Sequence, residues 1–238
     1  MNTMADATLD PAPAFDINKA EAVIGNDPSK IYEEYRYLRE KCPVVHAPNQ
    51  YNGYWLLTRY EDVKRAALDS DTYISSVKAV VPSDPRGIRR PPLNFDAPAH
   101  TPFRTALERT LKPARLTRLA LPLREHAKTT LQPLIEAGGG NICTMFGANY
   151  VARVEAEWLN LEEGTAPLLA TAAAAWLNAW RVQDAETVAA NSAKMYDIAR
   201  DLLASRRDDP RDPEEDPASS LLLERHADGT PLSEEHLV

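Results

Sequence analysis

The sequence contains too few cysteines for a disulfide framework or a structural zinc site. Among 238 residues there are 2 cysteines, Cys42 and Cys143, and neither belongs to a Cys-x-x-Cys pair. This usage is typical of a protein in a reducing cytoplasm. We therefore expect a cytoplasmic protein in which both thiols are ordinary buried or half-buried side chains.

Long hydrophobic runs are also missing. The first fifteen residues, MNTMADATLDPAPAF, have neither a basic flank nor an apolar core, so we expect no signal peptide and no membrane anchor there. The longest nearly apolar run, residues 166–180, is mostly alanine and is too short to span a bilayer. We interpret this run as a buried helix.

Positive charge is scarce overall but concentrated locally. The chain has 27 lysines and arginines against 35 acidic residues, for a formal net charge of −8, which argues against nucleic acid as a partner. Between Arg104 and Lys128, however, seven basic residues face only two acids. This patch is consistent with a docking face for an acidic partner, and a solvated helix face is the alternative.

Hydrophobic periodicity predicts a mainly α-helical fold with a small β-sheet. Residues 1–26 resemble a flexible arm, and Asp27-Pro28 then starts a helix that Pro43 ends. Two short strands, PVVHA and GYWLLTRY, follow with a turn near Asn52-Gly53, and YEDVKRAALDS reads as a short helix. Further helices are predicted near 102–112, 113–137, 144–160, 165–180, 185–207 and within ASSLLLERHA.

An irregular loop separates the two halves of this pattern. Residues 75–95 carry four prolines and three arginines, Arg86, Arg89 and Arg90, without periodicity. A loop of this length in a folded domain is usually a binding loop or a disordered one. We favour a binding loop, because Val80, Val81, Ile88 and Leu93 give it apolar side chains to bury.

The stretch NFDAPAHTPFR, residues 94–104, places two cationic-capable side chains at the start of a helix. Arg104 has helical spacing to Leu107 and Leu111, which we expect to face the core, and His100 lies one turn earlier. The helix begins either at a Thr101-Pro102 cap or earlier, near Pro98. Free N–H groups with a histidine and an arginine favour a carboxylate, since the stretch lacks the glycines of phosphate sites. The alternative is a surface histidine and an arginine paired with Glu108.

Four phrases follow one another along the chain: DPSKIYEEYRYLREKCPV, GYWLLTRYEDVKRAALDSDTYIS, DAPAHTPFRTALERTLKPARL and DPASSLLLERHADGTPLSEEHLV. In this order they resemble the N-terminal half of a bacterial soluble cytochrome P450, a haem-thiolate monooxygenase. The likeness covers roughly residues 27–238, so the expected organisation is an arm, 1–26, followed by an incomplete cytochrome P450 domain that stops at the start of the family's long central helix. Residues 154–162 and 195–213 are similar to the branch in which some members carry a fused flavin and iron–sulfur reductase.

The resemblance implies roles for particular residues. His100 and Arg104 match the family positions that bind the haem propionates, which are carboxylates held by charge-assisted hydrogen bonds. Substrate-pocket candidates are Ile88 and Leu93 in the loop and Leu177 and Trp180 in the helices that match the family's mobile lid; plain core packing is the alternative for all four. The family's redox partner, a ferredoxin or a flavin/iron–sulfur reductase, docks where this chain has Arg109, Lys112, Arg115 and Arg118.

The resemblance also implies what these 238 residues do not include. The family's iron is held by a cysteine thiolate in a glycine-rich phrase near its C-terminus, and neither Cys42 nor Cys143 stands in such a phrase. The sequence ends at Val238, just after a helix start at Ser233, so we expect an interrupted chain without its iron ligand. We expect the parent to insert one oxygen atom from O2 into a small apolar substrate, and the fragment alone to be inactive. The alternative is a non-enzymatic α-helical module that binds a hydrophobic ligand or a partner.

Overall fold

The structure, a computed structural model, describes residues 29–48, 53–77 and 84–238. Its contacts separate two units, Met1–Val81 and Pro82–Val238. The described residues are mostly helical and include a two-stranded antiparallel sheet, so the predicted fold class is confirmed. The expected arm, residues 1–26, and Asn52 of the expected turn lie outside the described residues.

The described part of the first unit contains two helices and two antiparallel strands. Val45 and Ala47 are almost fully buried, and Leu38 supplies the buried face of the preceding helix. His46 stacks on Trp55 across the sheet with ring centroids 4.5 Å apart. The elements of this unit are α1 (Ser29–Lys41), β1 (Val44–Ala47), β2 (Tyr54–Leu57) and α2 (Tyr60–Leu68).

The described residues of the second unit form helices and one isolated β-bridge, between Arg225 and Pro231. A 3-10 turn over Thr117–Leu119 divides the helix predicted at 113–137, and a π turn over Cys143–Gly147 precedes the one predicted at 144–160. The helices are α3 (His100–Thr110), α4 (Pro113–Leu116), α5 (Ala120–Glu136), α6 (Ala148–Trp158), α7 (Thr165–Arg181), α8 (Ala185–Asp208), α9 (Pro217–Leu222) and α10 (Glu234–Leu237).

Helices α7 and α8 form an antiparallel hairpin joined by a three-residue turn. The Asp184 carboxylate caps α8 by accepting a hydrogen bond from the Thr187 N–H at 3.0 Å. Between the helices, the Trp176 indole N–H donates to the Ser192 hydroxyl at 3.0 Å. The alanine-rich run in α7 was expected to be buried, but only one side is covered: Ala172 is buried and Leu168 is 65% exposed.

A buried ion pair joins three segments of the second unit. The Arg206 Nε lies 3.0 Å from Asp216 Oδ2, and the two side chains are 5% and 1% exposed. Arg206 also donates to the Asn160 carbonyl at 2.8 Å, and Asp216 caps α9 through the Ser219 N–H at 2.8 Å. One buried hydrogen-bond network therefore connects the end of α8, the start of α9 and the turn after α6.

Candidate functional site

Helix α3 presents His100 in its first turn. The helix begins at His100, whose N–H donates to the Asp96 carbonyl at 2.9 Å, while Ala99 already has helical backbone angles. Of the two starts left open by the sequence, the structure therefore favours the earlier one, near Pro98, over a cap at Thr101-Pro102, and Pro102 lies inside the first turn. Proline is tolerated there because the first N–H groups of a helix have no intrahelical acceptor.

The buried face of α3 differs by one position from the expected stripe. Phe103, Ala106 and Thr110 are buried, whereas Leu111 is 43% exposed, so the expectation that Leu111 faces the core is wrong. Leu107 is half-buried. Phe103 packs edge-to-face against Phe95 at 5.5 Å and belongs to the core cluster of this unit. Residues 103, 106 and 110 and residues 104, 107 and 111 both have helical spacing. The first set faces the core because the aromatic side chain of Phe103 buries more apolar area.

His100 and Arg104 lie one helical turn apart beside this buried face. His100 is half-buried, and the Arg104 side chain is 54% exposed. The Arg104 Nε donates to Glu108 Oε1 at 2.7 Å, the pairing named as the alternative. The two terminal guanidinium nitrogens have no hydrogen-bond partner among the described residues, so their donors can meet an external carboxylate.

The four substrate-pocket candidates lie in two segments. Ile88 and Leu93 are in the loop before α3, where Ile88 is half-buried and Leu93 is 58% exposed. Leu177, in α7, is 48% exposed. Trp180 is half-buried and stacks with Trp176 at 5.9 Å. Core packing therefore does not account for Leu93 or Leu177, and their role in a pocket stays a prediction.

The loop is held by charges, which sequence reasoning missed. The Asp84 side chain is 1% exposed and pairs with Arg86 at 2.9 Å and with Arg90 at 3.2 Å. The Tyr196 hydroxyl of α8 donates to the same carboxylate at 3.0 Å. The arginines were visible in the sequence, but Tyr196 is more than a hundred positions away, so nothing local indicated the partner. Val80 and Val81, expected to anchor the loop, lie outside the described residues.

Hydrogen bonds lower the pKa of Asp84 to about 2. Burial of the carboxyl group alone would raise it, but the Arg86 side chain and backbone and the Tyr196 hydroxyl donate to the charged form and outweigh burial. The carboxylate therefore stays ionised, and the loop carries a permanent buried charge.

Three of the four basic residues predicted as a redox-partner surface have partners within the second unit. Arg109 donates to both Glu224 carboxylate oxygens at 2.8 Å. Arg115 was expected at the surface, but its side chain is 12% exposed and contacts Glu214 and Ser220, so that placement is wrong. Arg118 is half-buried and donates to the carbonyls of Glu157 and Trp158 at the end of α6. Lys112 is exposed.

Two cavities border the turn between α6 and α7. One, of about 250 Å³, is lined by Asn160, Leu168 and Arg206 among others. The other, of about 660 Å³, includes Arg153 and the pair His126–Glu157, whose Nε2 and Oε1 lie 2.6 Å apart. Neither lining contains any of the sequence-predicted site residues, so these cavities do not mark the expected pocket.

The cysteines differ in exposure. Cys42 is half-buried as expected, but Cys143 is exposed on the π turn, so the expectation of a buried thiol is wrong there. Across residues 29–48, 53–77 and 84–238, no group of three or more histidine, cysteine or acidic side chains is placed to hold a metal ion. Within the same ranges, no helix combines the length and apolarity needed to cross a membrane.

Several curated proteins are similar to the chain in sequence. Cytochrome P450 130 of Mycobacterium tuberculosis is 30% identical over 195 residues, which cover 75% of this chain and 46% of that protein. A steroid C26-monooxygenase of Mycolicibacterium smegmatis is 30% identical over 146 residues, covering 55% of this chain and 34% of that protein. No protein-family model matches the chain. The chain thus spans less than half the length of these relatives.

Solved structures share the fold. Cytochrome P450 CYP268A2 of Mycobacterium marinum, solved in complex with pseudoionone, superposes with a TM-score of 0.74 at 22% identity, covering 97% of this chain and 59% of that one. CYP101J2 gives a TM-score of 0.71 at 20% identity, covering 99% and 56%. At this identity the likeness shows the fold.

Sequence and fold therefore agree on the class of protein. The described helices and hairpin form part of a cytochrome P450 fold, and the sequence relatives are cytochromes P450. The chain belongs to the cytochrome P450 family, as the ordered phrases predicted.

Proposed function

We propose that the chain forms part of a haem-dependent monooxygenase that inserts one oxygen atom from O2 into a small apolar organic substrate. The observation that carries this proposal is the pair His100 and Arg104 on the first turns of α3, in a chain with the cytochrome P450 fold. The names of the sequence relatives support the reaction class, since they include a steroid C26-monooxygenase. The identity of the substrate does not follow from that name.

The donors of α3 fit the propionates of haem. His100 is half-buried and Arg104 has two terminal nitrogens without partners among the described residues, so both can donate to carboxylates. Glu108 accepts a hydrogen bond from the Arg104 Nε. This bond orients the guanidinium and leaves its two terminal nitrogens for the ligand. Haem, when bound, supplies oxygen activation; His100 and Arg104 hold its acidic edge.

Apolar side chains from two segments would form the substrate pocket. Leu93 and Leu177 expose large apolar surfaces, and Ile88 and Trp180 lie near them in sequence in the same two segments. Single exposed leucines are common on protein surfaces, so the assignment of these two to a pocket rests on the family resemblance. In the proposed enzyme they exclude water from the substrate and orient it by shape.

Neither cysteine of the chain is proposed as the iron ligand. Cys143 is exposed on the π turn between α5 and α6, and Cys42 donates weakly to the Val44 carbonyl at 3.9 Å. Without a thiolate ligand the oxygen chemistry of this family cannot proceed. We therefore propose that these 238 residues are inactive alone and need a polypeptide that supplies the ligand.

Electrons would arrive from a ferredoxin or a flavin/iron–sulfur reductase. Of the four predicted contact residues, Lys112 is exposed and Arg109 is half-exposed in its pair with Glu224, whereas Arg115 and Arg118 are engaged inside the unit. We propose Lys112 and Arg109 as the docking charges.

Haem titration of the chain tests the propionate assignment. Replacing Arg104 by alanine removes charge-assisted hydrogen bonds and should weaken haem binding roughly tenfold or more, as measured by the Soret absorbance. Arg124→Ala is the matched control, because Arg124 is an exposed arginine on α5, and it should leave the affinity unchanged.

Equal losses in the two variants would remove the assignment of Arg104 to a propionate. A chain that binds an apolar ligand such as a fatty acid, but no haem, would instead favour the non-enzymatic helical module.

A further inference from the structure

The Asp84 cluster joins three segments of the second unit around one buried acid. Its members are Asp84, Arg86 and Arg90 in the loop and Tyr196 in α8. Arg86 also donates to the Glu235 carbonyl of α10 at 2.9 Å, and its guanidinium lies 4.0 Å from the centre of the Tyr196 ring. The Asp84 carboxylate is thus bonded directly to the loop and to α8, and Arg86 connects it to α10.

A carboxylate this deeply buried requires several donors. Asp84 accepts from the Arg86 backbone N–H at 2.8 Å, from the Arg86 Nε at 3.1 Å and from the Arg90 Nε at 3.2 Å, besides the Tyr196 hydroxyl. Removing one partner of such a group leaves the others buried and unpaired, which costs more than the bond itself. The cluster is therefore expected to hold together or to open as a unit.

The apolar side chains of the loop do not provide an equivalent anchor. Leu93 is 58% exposed and Ile88 is half-buried, while Phe95, at the end of the loop, packs on Phe103 of α3. The first half of the loop is thus fixed to α8 by charge, and the second half is fixed to α3 by an aromatic contact.

We propose that Asp84 is a positioning residue that latches loop 84–95 onto helix α8, so that the loop and the α7–α8 hairpin change position together. The role of the loop as a wall of the substrate pocket rests on the proposed function; the latch itself rests on the contacts above. Through this latch, a substrate that displaces the hairpin would also displace Ile88 and Leu93.

Trypsin cleavage of the Arg89–Arg90 bond in the full chain tests the latch. Arg89 is exposed in the same loop, so the rate of cleavage there reports how often the loop leaves α8. Tyr196→Phe removes one donor and should raise the rate roughly tenfold. Asp84→Asn should raise it roughly a hundredfold, because two arginines lose their buried partner.

Asp197→Asn is the matched control. Asp197 neighbours Tyr196 on α8, is 67% exposed and pairs with Arg200, so its loss should leave the cleavage rate unchanged. In the double variant, Asp84→Asn with Tyr196→Phe, the increase in rate should be smaller than the product of the two single increases, because both substitutions remove the bond between Tyr196 and the Asp84 carboxylate.

Each variant is first shown to be folded by circular dichroism, and Tyr196→Phe carries the test if Asp84→Asn does not fold. A folded Tyr196→Phe variant cleaved at the wild-type rate would overturn the latch. Since the assay needs no haem and no substrate, its result is independent of whether the proposed reaction is correct.

Discussion

Two buried carboxylates, Asp84 and Asp216, hold separate segments of the second unit in place. Each side chain is 1% exposed. Asp84 pairs with arginines of its own loop and accepts from Tyr196 of α8. Asp216 pairs with Arg206 of α8 and accepts from Asn160, which follows α6. Such pairs contribute little when compared with apolar packing, but removing one member leaves an uncompensated charge in the interior. Their positions are therefore the places where a single substitution has the largest expected effect.

Arg206→Ala should destabilise the second unit by about 3 kcal/mol, because Asp216 is left buried without its cation. Urea unfolding followed by circular dichroism measures this. The control is Arg200→Ala on the same helix, whose 50% exposed side chain pairs with Asp197 and whose loss should cost less than about 1 kcal/mol. Equal destabilisation by the two variants would contradict the importance of the buried network.

Asp84 should make stability depend on pH in acid. Its pKa falls from 3.8 to about 2 on folding, so its contribution is fully present above about pH 4 and is lost as the pH falls through 2. The contribution amounts to about 2 kcal/mol. Between pH 4 and pH 2, the free energy of unfolding should fall by that much less in Asp84→Asn than in the wild type. Identical slopes would exclude a low pKa for Asp84.

At the scale of elements, the α7–α8 hairpin is defined by its short turn. Gln183 adopts a left-handed conformation, with φ of 57°, and Asp184 then starts α8 with a side-chain cap. The sequence allowed both helices to be placed within one residue, because the polar residues Gln183 and Asp184 interrupt two periodic segments. The hydrogen bond between Trp176 and Ser192 fixes the register of one helix against the other.

Asp184→Ala should lower the stability of the chain, since the Thr187 N–H loses its acceptor. Asp184→Ser is the matched control, because serine also caps helices and should retain most of the stability. Thermal unfolding of both variants provides the comparison. If alanine and serine lower the midpoint equally, the cap is not what starts α8.

Local patterns predicted helices and strands but not which faces are buried. In α3, residues 103, 106 and 110 and residues 104, 107 and 111 fit the same helical period, and the packing of Phe103 and Ala106 against Leu232 and Phe95 distinguishes the two stripes. Arg115 was likewise placed outside because its partner Glu214 lies about a hundred positions away. Burial and ion pairs depend on tertiary contacts, which periodicity alone does not contain.

At the scale of the whole molecule, family membership came from the order of several phrases, each of which is weak alone. The sequence relatives and the shared fold confirm that order. The positions of His100 and Arg104 on α3 agree with a site for carboxylates, but their binding of haem propionates stays a prediction. The substrate could not be predicted, because exposed apolar side chains such as Leu93 and Leu177 define a surface and not a molecule.

The chain covers 46% of its M. tuberculosis relative and 59% of its M. marinum structural neighbour. The central proposal is that these 238 residues hold the acidic edge of haem, while residues outside them supply the thiolate that binds the iron. Binding of the haem propionates and ligation of the iron would then lie in different parts of the protein. The proposal can be tested by adding a C-terminal part that carries the iron-binding cysteine.

The most direct measurement is the spectrum of the reduced, carbon-monoxide-bound chain, recorded alone and after co-expression with the C-terminal part of a related cytochrome P450. The account predicts that the red-shifted band of thiolate-ligated haem is absent from the chain alone and appears in the co-expressed pair, with a smaller yield for Arg104→Ala than for Arg124→Ala. The same band in the isolated chain, lost on replacing Cys42 or Cys143, would contradict it.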